Sequence, residues 1–361
     1  MKNVLKRFLA VMMAAGAVFT AAAEELDVGE TDIIVLEESR AVTEKDGYRF
    51  NEKGFLVGEN PSDSYLAEDE ENGTWAYSDA NLSIRITRYT DELKNNKKRV
   101  YCVADVWASA ESPLFAIMSP AGGSRPAGYG NGEGMKKPEK LVEENPVMLA
   151  VSDDYYGWRQ FTVDRDKGKA KGASWPTGVI IRNGEILYDK PRDSSKKKEW
   201  PPTDTLAVYQ DGSMKTFVSD ELRAEDYIAQ GATQVFAFGP WLIRNGEPNP
   251  TAMGPKYTYT HMASDVNPRT VIGMIEPYHY ILMVVGIPQD NGKYLGANGE
   301  WLVNKLLEFG CTEALNLDGG ATSYMLFNGK TIIHGRKANR TLSSMIAFGD
   351  MSDEDFPLIR P

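Results

Sequence analysis

The most informative stretch of the sequence lies near its end and reads Ala314-Leu315-Asn316-Leu317-Asp318-Gly319-Gly320-Ala321-Thr322-Ser323-Tyr324-Met325-Leu326-Phe327. Its apolar residues alternate up to Asp318, where a strand should end, and a second apolar run follows the hydroxyl residues. Glycines permit positive φ and let backbone N–H groups approach a ligand closely. A carboxylate beside such donors could hold a sugar or a phosphate. It could equally close a tight turn by bonding its own backbone.

The residues before this stretch predict a helix over 299–309. Asn298 stands as its N-cap, and Gly310 lies just past its end. The helix falls between a predicted strand over 278–285 and the strand that leads to Asp318. This order predicts a strand–helix–strand unit with Asp318 at the C-terminal edge of its second strand, an edge that ligand sites favour in such units.

Turn signals between apolar arms recur along the chain. Asn-Gly stands at 183–184, 245–246 and 328–329, and Asp-Gly stands at 211–212. Both dipeptides suit the type I′ turn of a β-hairpin, which needs positive φ twice. A second helix is predicted over 221–230. The fold class expected is α+β, a mixed, hairpin-rich β-sheet with a few helices.

The N-terminal region predicts export. Residues 1–23 have a positive start, an apolar segment and an Ala-Ala-Ala cleavage site, as a signal peptide does. Residues 24–73 are acidic and turn-rich, which indicates an extension or linker. Residues 74–361 would form one compact domain. We therefore expect a secreted or extracytoplasmic protein, at the cell surface or in the periplasm, and no segment long enough to span a membrane.

The composition of the chain limits the classes of partner and the disulfide content that can be expected. The formal net charge is -11, so the chain lacks the basic surplus that a nucleic-acid partner would require. The two cysteines, Cys102 and Cys311, are too few for a disulfide framework, and two separately buried thiols are expected. The chain must therefore be stabilised by its core.

Charged residues stand where predicted strands end or begin. Asp154 follows the apolar run 148–151, and Arg269 precedes another apolar run. The further candidates are Asp318, Arg159 and Arg340. Arginine binds phosphate through a planar fork of donors. Two carboxylates with several arginines suit a site that acts on a sugar joined to a phosphate, although each could also be a turn former, a strand-end cap or a surface ion-pair partner.

At these residues the chain resembles the phosphodiester glycosidase family. Family members carry Ala-Ile-Asn-Gly-Asp-Phe-Phe, Pro-Arg-Thr-Ala-Ile-Gly, Asn-Leu-Asp-Gly-Gly-Gly-Ser-Ser, and then Arg with Ser-Asn. The matching segments here, in the same order, are Ala150-Val151-Ser152-Asp153-Asp154-Tyr155-Tyr156, Pro268-Arg269-Thr270-Val271-Ile272-Gly273, Asn316-Leu317-Asp318-Gly319-Gly320-Ala321-Thr322-Ser323 and Arg340-Thr341-Leu342-Ser343-Ser344. The resemblance covers roughly residues 75–349.

The chain departs from these motifs at three places. Ser152-Asp153 replaces the usual Asn-Gly and adds a carboxylate beside Asp154. Ala321 replaces the third glycine, and Ser344 stands where Asn is usual. The extra carboxylate could alter substrate preference or, with its neighbour, bind calcium, which takes oxygen ligands. No cofactor is required by the expected reaction, and calcium stays a possibility.

The resemblance implies hydrolysis of the sugar C1–oxygen bond in a sugar-1-phosphodiester, for example an N-acetylhexosamine-1-phosphodiester of a wall or capsular glycan. It would release free sugar and a phosphate monoester. Asp318 and Asp154 would be catalytic, with Arg269, Arg340 and Arg159 gripping the phosphate. Further substrate contacts are expected from the turn after Asp318: the Gly319 and Gly320 N–H groups and the hydroxyls of Thr322 and Ser323. The alternative is a noncatalytic glycan-binding protein of exopolysaccharide assembly that uses the same residues.

Overall fold

The computed structural model describes residues 43–58, 63–119, 135–145, 147–154, 178–190, 204–218, 221–253, 266–286, 294–336 and 340–349. Within these ranges lie 21 strands and four helices. The strands are β1 (Thr43–Lys45), β2 (Tyr48–Phe50), β3 (Tyr65–Asp69), β4 (Thr74–Ser78), β5 (Ser83–Leu93), β6 (Lys97–Trp107), β7 (Phe115–Met118), β8 (Leu149–Ser152), β9 (Gly178–Arg182), β10 (Glu185–Lys190), β11 (Asp204–Tyr209), β12 (Met214–Phe217), β13 (Ala232–Phe238), β14 (Trp241–Arg244), β15 (Glu247–Pro248), β16 (Arg269–Glu276), β17 (His279–Gly286), β18 (Glu313–Asn316), β19 (Tyr324–Phe327), β20 (Lys330–His334) and β21 (Ser344–Phe348). The helices are α1 (Pro138–Glu143), α2 (Ala224–Ala229), α3 (Pro250–Met253) and α4 (Gly299–Glu308). The protein is mostly β-sheet, in agreement with the predicted β-rich α+β class.

Three larger sheets form the body of the described structure. The nine-stranded sheet has the order β15-β14-β18-β16-β17-β6-β5-β4-β3. The sheet that we call the β8 sheet has the order β20-β19-β8-β21-β7, and the β9 sheet has the order β10-β9-β13-β11-β12. Neighbouring strands pair antiparallel, and β1 and β2 form a separate hairpin.

One hydrophobic core joins the three sheets. Leu282 of the nine-stranded sheet, Val151 of the β8 sheet and Phe236 of the β9 sheet belong to one buried cluster, and each is fully buried. The opposite face of each sheet carries a helix: α4 covers the nine-stranded sheet, α1 the β8 sheet and α2 the β9 sheet. Strand β17 is buried along its whole length because both of its faces are covered.

Helix α4 matches its predicted bounds to within one residue. The Asn298 side chain accepts a hydrogen bond from the Trp301 N–H at 3.0 Å, as an N-cap should. Strands β17 and β18 both pair antiparallel with β16, so they run parallel to each other with β16 between them. The helix therefore connects two parallel strands of one sheet.

The three predicted Asn-Gly turns are present. Asn183, Asn245 and Asn328 and the glycines that follow them all have positive φ. At the predicted Asp211-Gly212 turn, β11 ends at Tyr209 and β12 begins at Met214, but only Gly212 of the turn residues has positive φ, so this is not a type I′ turn.

The N-terminal region contains more structure than a linker interpretation allows. Strand β3 forms an edge of the nine-stranded sheet, and Glu68 within it pairs with Lys330 at 2.7 Å. That interpretation was wrong for residues 65–69, since the exposed acidic side chains of an edge strand resemble a solvated loop in sequence. Residues 48–50 pair with β1 across a turn at Asp46 and Gly47. They also pair with residues 55–57, through an antiparallel bridge between Phe50 and Leu56 and a hydrogen bond from the Val57 N–H to the Arg49 carbonyl oxygen at 2.7 Å.

Both cysteines are buried free thiols, as predicted. Among the described residues, no helix has the length and apolar character needed to cross a membrane. The predicted signal peptide lies outside the described residues.

Candidate active site

Backbone hydrogen bonds bring the ends of β8, β16 and β18 together. The Asp318 N–H donates to the Asp153 carbonyl oxygen at 3.1 Å, and the Leu317 N–H donates to the Thr270 carbonyl oxygen at 2.8 Å. Asp153 directly follows β8, Asp318 follows β18 by two residues, and Thr270 is next to Arg269 at the start of β16. Three segments that are distant in sequence therefore meet at one edge.

Asp318 retains access to solvent at this edge. Its residue is half-buried, whereas Asp153 and Asp154 are buried. Burial raises the pKa of Asp318 from 3.8 to about 6, opposed by hydrogen bonds from Thr322 and the Gly319 N–H and by the positive charge of Arg340. The nearby charge of Asp154 raises the pKa further. The pKa of Asp318 therefore depends on both predicted partners, Asp154 and Arg340.

The two glycines shape the turn after Asp318. At Gly319 a Cβ atom would lie 2.7 Å from the Pro268 carbonyl oxygen, so any side chain there would clash with backbone. Gly320 has φ +66°. The Gly319 N–H donates to Asp318 Oδ1 at 2.8 Å, and the Gly320 N–H donates to the Pro268 carbonyl oxygen at 2.9 Å. Because both N–H groups already have acceptors, the structure does not support their predicted use as ligand donors.

The two hydroxyl residues have different environments. Thr322 Oγ1 lies 2.5 Å from the Gly319 carbonyl oxygen and also within reach of the Asp318 carboxyl. Ser323 is fully buried, and its Oγ has no hydrogen-bond partner among the described residues. A hydroxyl without exposed surface does not reach a substrate, so the predicted contact of Ser323 is not supported, whereas Thr322 remains next to the carboxyl.

Arg269 and Arg340 lie around the same edge. Arg269 is buried, and its Nε donates to the Ala297 carbonyl oxygen at 3.0 Å. Arg340 is exposed, and its N–H donates to the Tyr324 hydroxyl at 3.0 Å, which places it beside the start of β19. Arg159 lies outside the described residues.

A buried ion-pair cluster holds Asp153 and Asp154, and its cation is Arg182. The Arg182 Nη2 group donates to Asp153 Oδ2 at 3.1 Å and to Asp154 Oδ1 at 2.9 Å. The side chains are 0%, 3% and 0% exposed for Arg182, Asp153 and Asp154. The second oxygen of Asp154 accepts the Ala237 N–H at 2.8 Å, and Ser344 Oγ donates to Asp153 Oδ2.

This cluster revises the role of Asp154. Its carboxylate has no exposed surface, and both of its oxygens accept hydrogen bonds from the protein. The geometry therefore favours a positioning role over the predicted contact with the sugar. Burial also raises the pKa of Asp153 well above its usual range, and the adjacent Asp154 adds to that rise, while Arg182 and Ser344 oppose it.

The same geometry bears on the calcium possibility at Asp153 and Asp154. A calcium site needs several oxygen ligands, and here the Arg182 guanidinium occupies the position of a cation between the two carboxylates. Among the described residues, no group of three or more His, Cys, Asp or Glu side chains is arranged to hold a metal ion.

Sequence reasoning missed Arg182 because its Ile-Arg-Asn-Gly-Glu context was assigned to turn chemistry. A usable signal was present. Arg182 directly follows Val179-Ile180-Ile181, an apolar run that should be buried. An arginine continuing such a strand requires a buried anionic partner, since a charged group inside a protein is almost never left unpaired.

The comparisons with known proteins agree with the resemblance. The family model for phosphodiester glycosidases matches residues 148–349, which is more than half of the chain and includes all three converging segments. The chain therefore belongs to the phosphodiester glycosidase family, a family of hydrolases.

Individual relatives are distant. The SPbeta prophage-derived uncharacterized protein YomE of Bacillus subtilis (strain 168) is 27% identical over 158 residues, which cover 42% of this chain and 23% of YomE. The chain thus spans less than a quarter of the length of that relative.

Two solved structures are distantly similar to the chain. The zebrafish N-acetylglucosamine-1-phosphodiester alpha-N-acetylglucosaminidase catalytic domain, auto-inhibited by its pro-peptide, has a TM-score of 0.49 and 17% identity, with 80% of this chain and 87% of that chain covered. A hypothetical protein from Synechocystis has a TM-score of 0.43 and 12% identity, with 74% and 62% covered.

Proposed function

We propose that the protein hydrolyses the sugar C1–oxygen bond of a sugar-1-phosphodiester and releases free sugar and a phosphate monoester. Family membership supports this reaction class. The observation that supports a catalytic role for one particular residue is the solvent access of Asp318. Of the three carboxylates that meet at this edge, Asp318 alone is half-buried, and the other two are buried in the Arg182 cluster.

The chemistry needs an anion beside the sugar. Positive charge develops at the sugar carbon as the bond to phosphate breaks, and a carboxylate stabilises it. At pH 7 Asp318, with a pKa of about 6, is mostly ionised. It would act either as the nucleophile at C1 or as the base that activates water. The configuration of the released sugar distinguishes these roles, since a covalent intermediate retains the configuration and direct attack by water inverts it.

The departing phosphate needs little proton transfer. A phosphate monoester has a second pKa of about 6 and so leaves as an anion. Positive charge near the phosphate is then the main requirement. Arg340 fits this role because it is exposed and already interacts with Asp318. Arg269 and Arg159 remain the other proposed phosphate ligands.

The proposal includes the setting of the reaction. A signal peptide over residues 1–23 would export the protein, and the substrate would be a glycan of the wall or capsule. Fractionation of cells that produce the full chain tests this part, with the processed protein expected outside the cytoplasm.

Turnover by Asp318→Asn tests the assignment. Wild type is expected to release free sugar from a synthetic sugar-1-phosphodiester, and Asp318→Asn is expected to lose this turnover while still binding the compound. Asp211→Asn is the matched control, because its carboxylate accepts hydrogen bonds from the Ser213 N–H and hydroxyl in an exposed turn. Tight binding without turnover by wild type would instead favour the noncatalytic glycan-binding alternative.

A further inference from the structure

The buried cluster around Arg182 is attached to Asp318 through the backbone. The Asp153 carbonyl oxygen accepts the Asp318 N–H at 3.1 Å, and the Asp153 side chain is bonded by Arg182 and by Ser344. One residue thus joins the cluster to the reactive edge: its main chain contacts the proposed reacting residue, and its side chain is anchored in the interior.

Arg182 is fixed by several groups. Its Nη1 donates to the Val235 carbonyl oxygen at 2.7 Å and to the Ile181 carbonyl oxygen at 3.1 Å. Its guanidinium lies 4.4 Å from the centre of the Phe236 ring. Since Ile181 and Val235 belong to the β9 sheet and Asp153 follows β8, the guanidinium ties two sheets together at the point where the Asp318 segment rests.

Two residues of the buried cluster around Arg182 depart from the family motifs. Asp153 stands where those motifs have glycine, and Ser344 stands where they have asparagine. In the structure Ser344 Oγ donates to Asp153 Oδ2, so the two departures contact each other. A glycine at position 153 would provide the carbonyl but no side chain for Arg182 or Ser344 to hold.

We propose that Asp153 is a positioning residue for this reaction: its side chain, anchored by Arg182 and Ser344, fixes the carbonyl group that holds the Asp318 backbone. Asp153 does not touch the substrate in this account, because its side chain is buried. The inference rests on the proposed function for its catalytic consequence. Its structural part, the restraint of the Asp318 segment, does not depend on that function.

The test compares Asp153→Ala with wild type by two independent readouts. The first is hydrogen exchange of the Asp318 amide, expected to become faster by about tenfold or more, because the acceptor of its hydrogen bond is no longer anchored. The second is turnover of a sugar-1-phosphodiester. There kcat is expected to fall by about tenfold to a hundredfold with KM changed less than about threefold, since small displacements of a reacting group affect rate more than binding.

Asp105→Ala is the matched control. Asp105 is partly buried and pairs with His279 at 2.7 Å, at the end of the β16–β17 pair opposite Arg269. Its removal should leave the exchange of the Asp318 amide within about threefold of wild type. Asp153→Asn keeps the side-chain volume and a hydrogen-bond acceptor, so it should restore part of kcat; it also serves as the test variant if Asp153→Ala does not fold.

Two results would overturn the inference: unchanged exchange of the Asp318 amide in both Asp153 variants, or faster exchange with unchanged kcat. The failure of the proposed function looks different. In that case wild type itself would not turn over the phosphodiester, while the exchange measurement would still decide whether Asp153 restrains the Asp318 segment.

Discussion

Replacing Arg340 by glutamine should move the acidic limb of the activity profile to higher pH. Asp318 must be ionised to act as nucleophile or base, so activity should rise with pH through its pKa of about 6 and then level off. The Arg340 charge lowers that pKa, because a nearby positive charge favours the ionised carboxylate. Without the Arg340 charge the pKa of Asp318 rises, and the acidic limb of the activity profile moves to higher pH with it.

The structure limits the size of this shift. Desolvation is the main cause of the raised pKa of Asp318, and Arg340 ranks below the bonds from Thr322 and Gly319 among the groups that lower it. An exposed charge pair contributes about 0.2–1 kcal/mol, which corresponds to about 0.1–0.7 of a pKa unit. The same substitution should lower kcat/KM above the limb if Arg340 also binds the phosphate.

The assay is the dependence of kcat/KM on pH between pH 4 and pH 9, which reports the pKa values of the free enzyme. Arg336→Gln is the matched control: Arg336 is also exposed, lies four residues before Arg340 in the sequence, and donates to Asn267 Oδ1 at 3.2 Å. The limb should move for Arg340→Gln and stay in place for Arg336→Gln. A limb that moves to lower pH, or an equal shift in both variants, would refute the electrostatic pairing of Arg340 with Asp318.

Asp318→Asn should be more stable than wild type at pH 8 by up to about 3 kcal/mol, since a shift from 3.8 to about 6 corresponds to that cost of ionisation in the folded state. Because the pKa of Asp318 is raised in the folded state, wild type loses stability as pH rises from about 4 to about 6. Urea unfolding at pH 4 should therefore show a much smaller difference in stability between the variant and wild type. A variant less stable than wild type at pH 8 would contradict the assignment. Arg182→Met should lower the free energy of unfolding by about 3–5 kcal/mol by leaving two buried carboxylates without their cation. Arg244→Met, in the same Ile-Arg-Asn-Gly-Glu sequence but with the exposed partner Glu221, should be clearly less destabilised, and equal losses would argue against the buried cluster. Ser323→Ala should leave kcat/KM within about twofold and stability unchanged or higher, because the buried hydroxyl has no partner among the described residues; a loss of about tenfold or more would restore Ser323 as a substrate contact.

Much of the fold could be predicted from local patterns. Asn-Gly between apolar arms located three hairpins because positive φ at both turn positions is a local requirement that few residues satisfy. Helix α4 was located by its N-cap Asn298 and by Gly310. The pairing of three sheets around one core could not be read, since it depends on contacts between residues far apart in sequence.

The candidate site, too, could be predicted only in part. The convergence of the Asp154 and Asp318 segments was predicted from motif order, and backbone bonds now connect Asp153 and Asp318. Exposure could not be predicted: the sequence presents Asp154 and Asp318 alike, as carboxylates that follow apolar strands. In the structure the Asp154 side chain is buried and paired with Arg182 from another sheet, whereas Asp318 is half-buried.

The bond that breaks is the most direct test of the proposed reaction. Hydrolysis of a sugar-1-phosphodiester in ¹⁸O-labelled water, followed by mass spectrometry of both products, shows which atom accepts the water oxygen. Cleavage at the sugar carbon beside Asp318 predicts the label in the C1 hydroxyl of the released sugar and none in the phosphate monoester. Label in the phosphate would mean attack at phosphorus and would contradict the account.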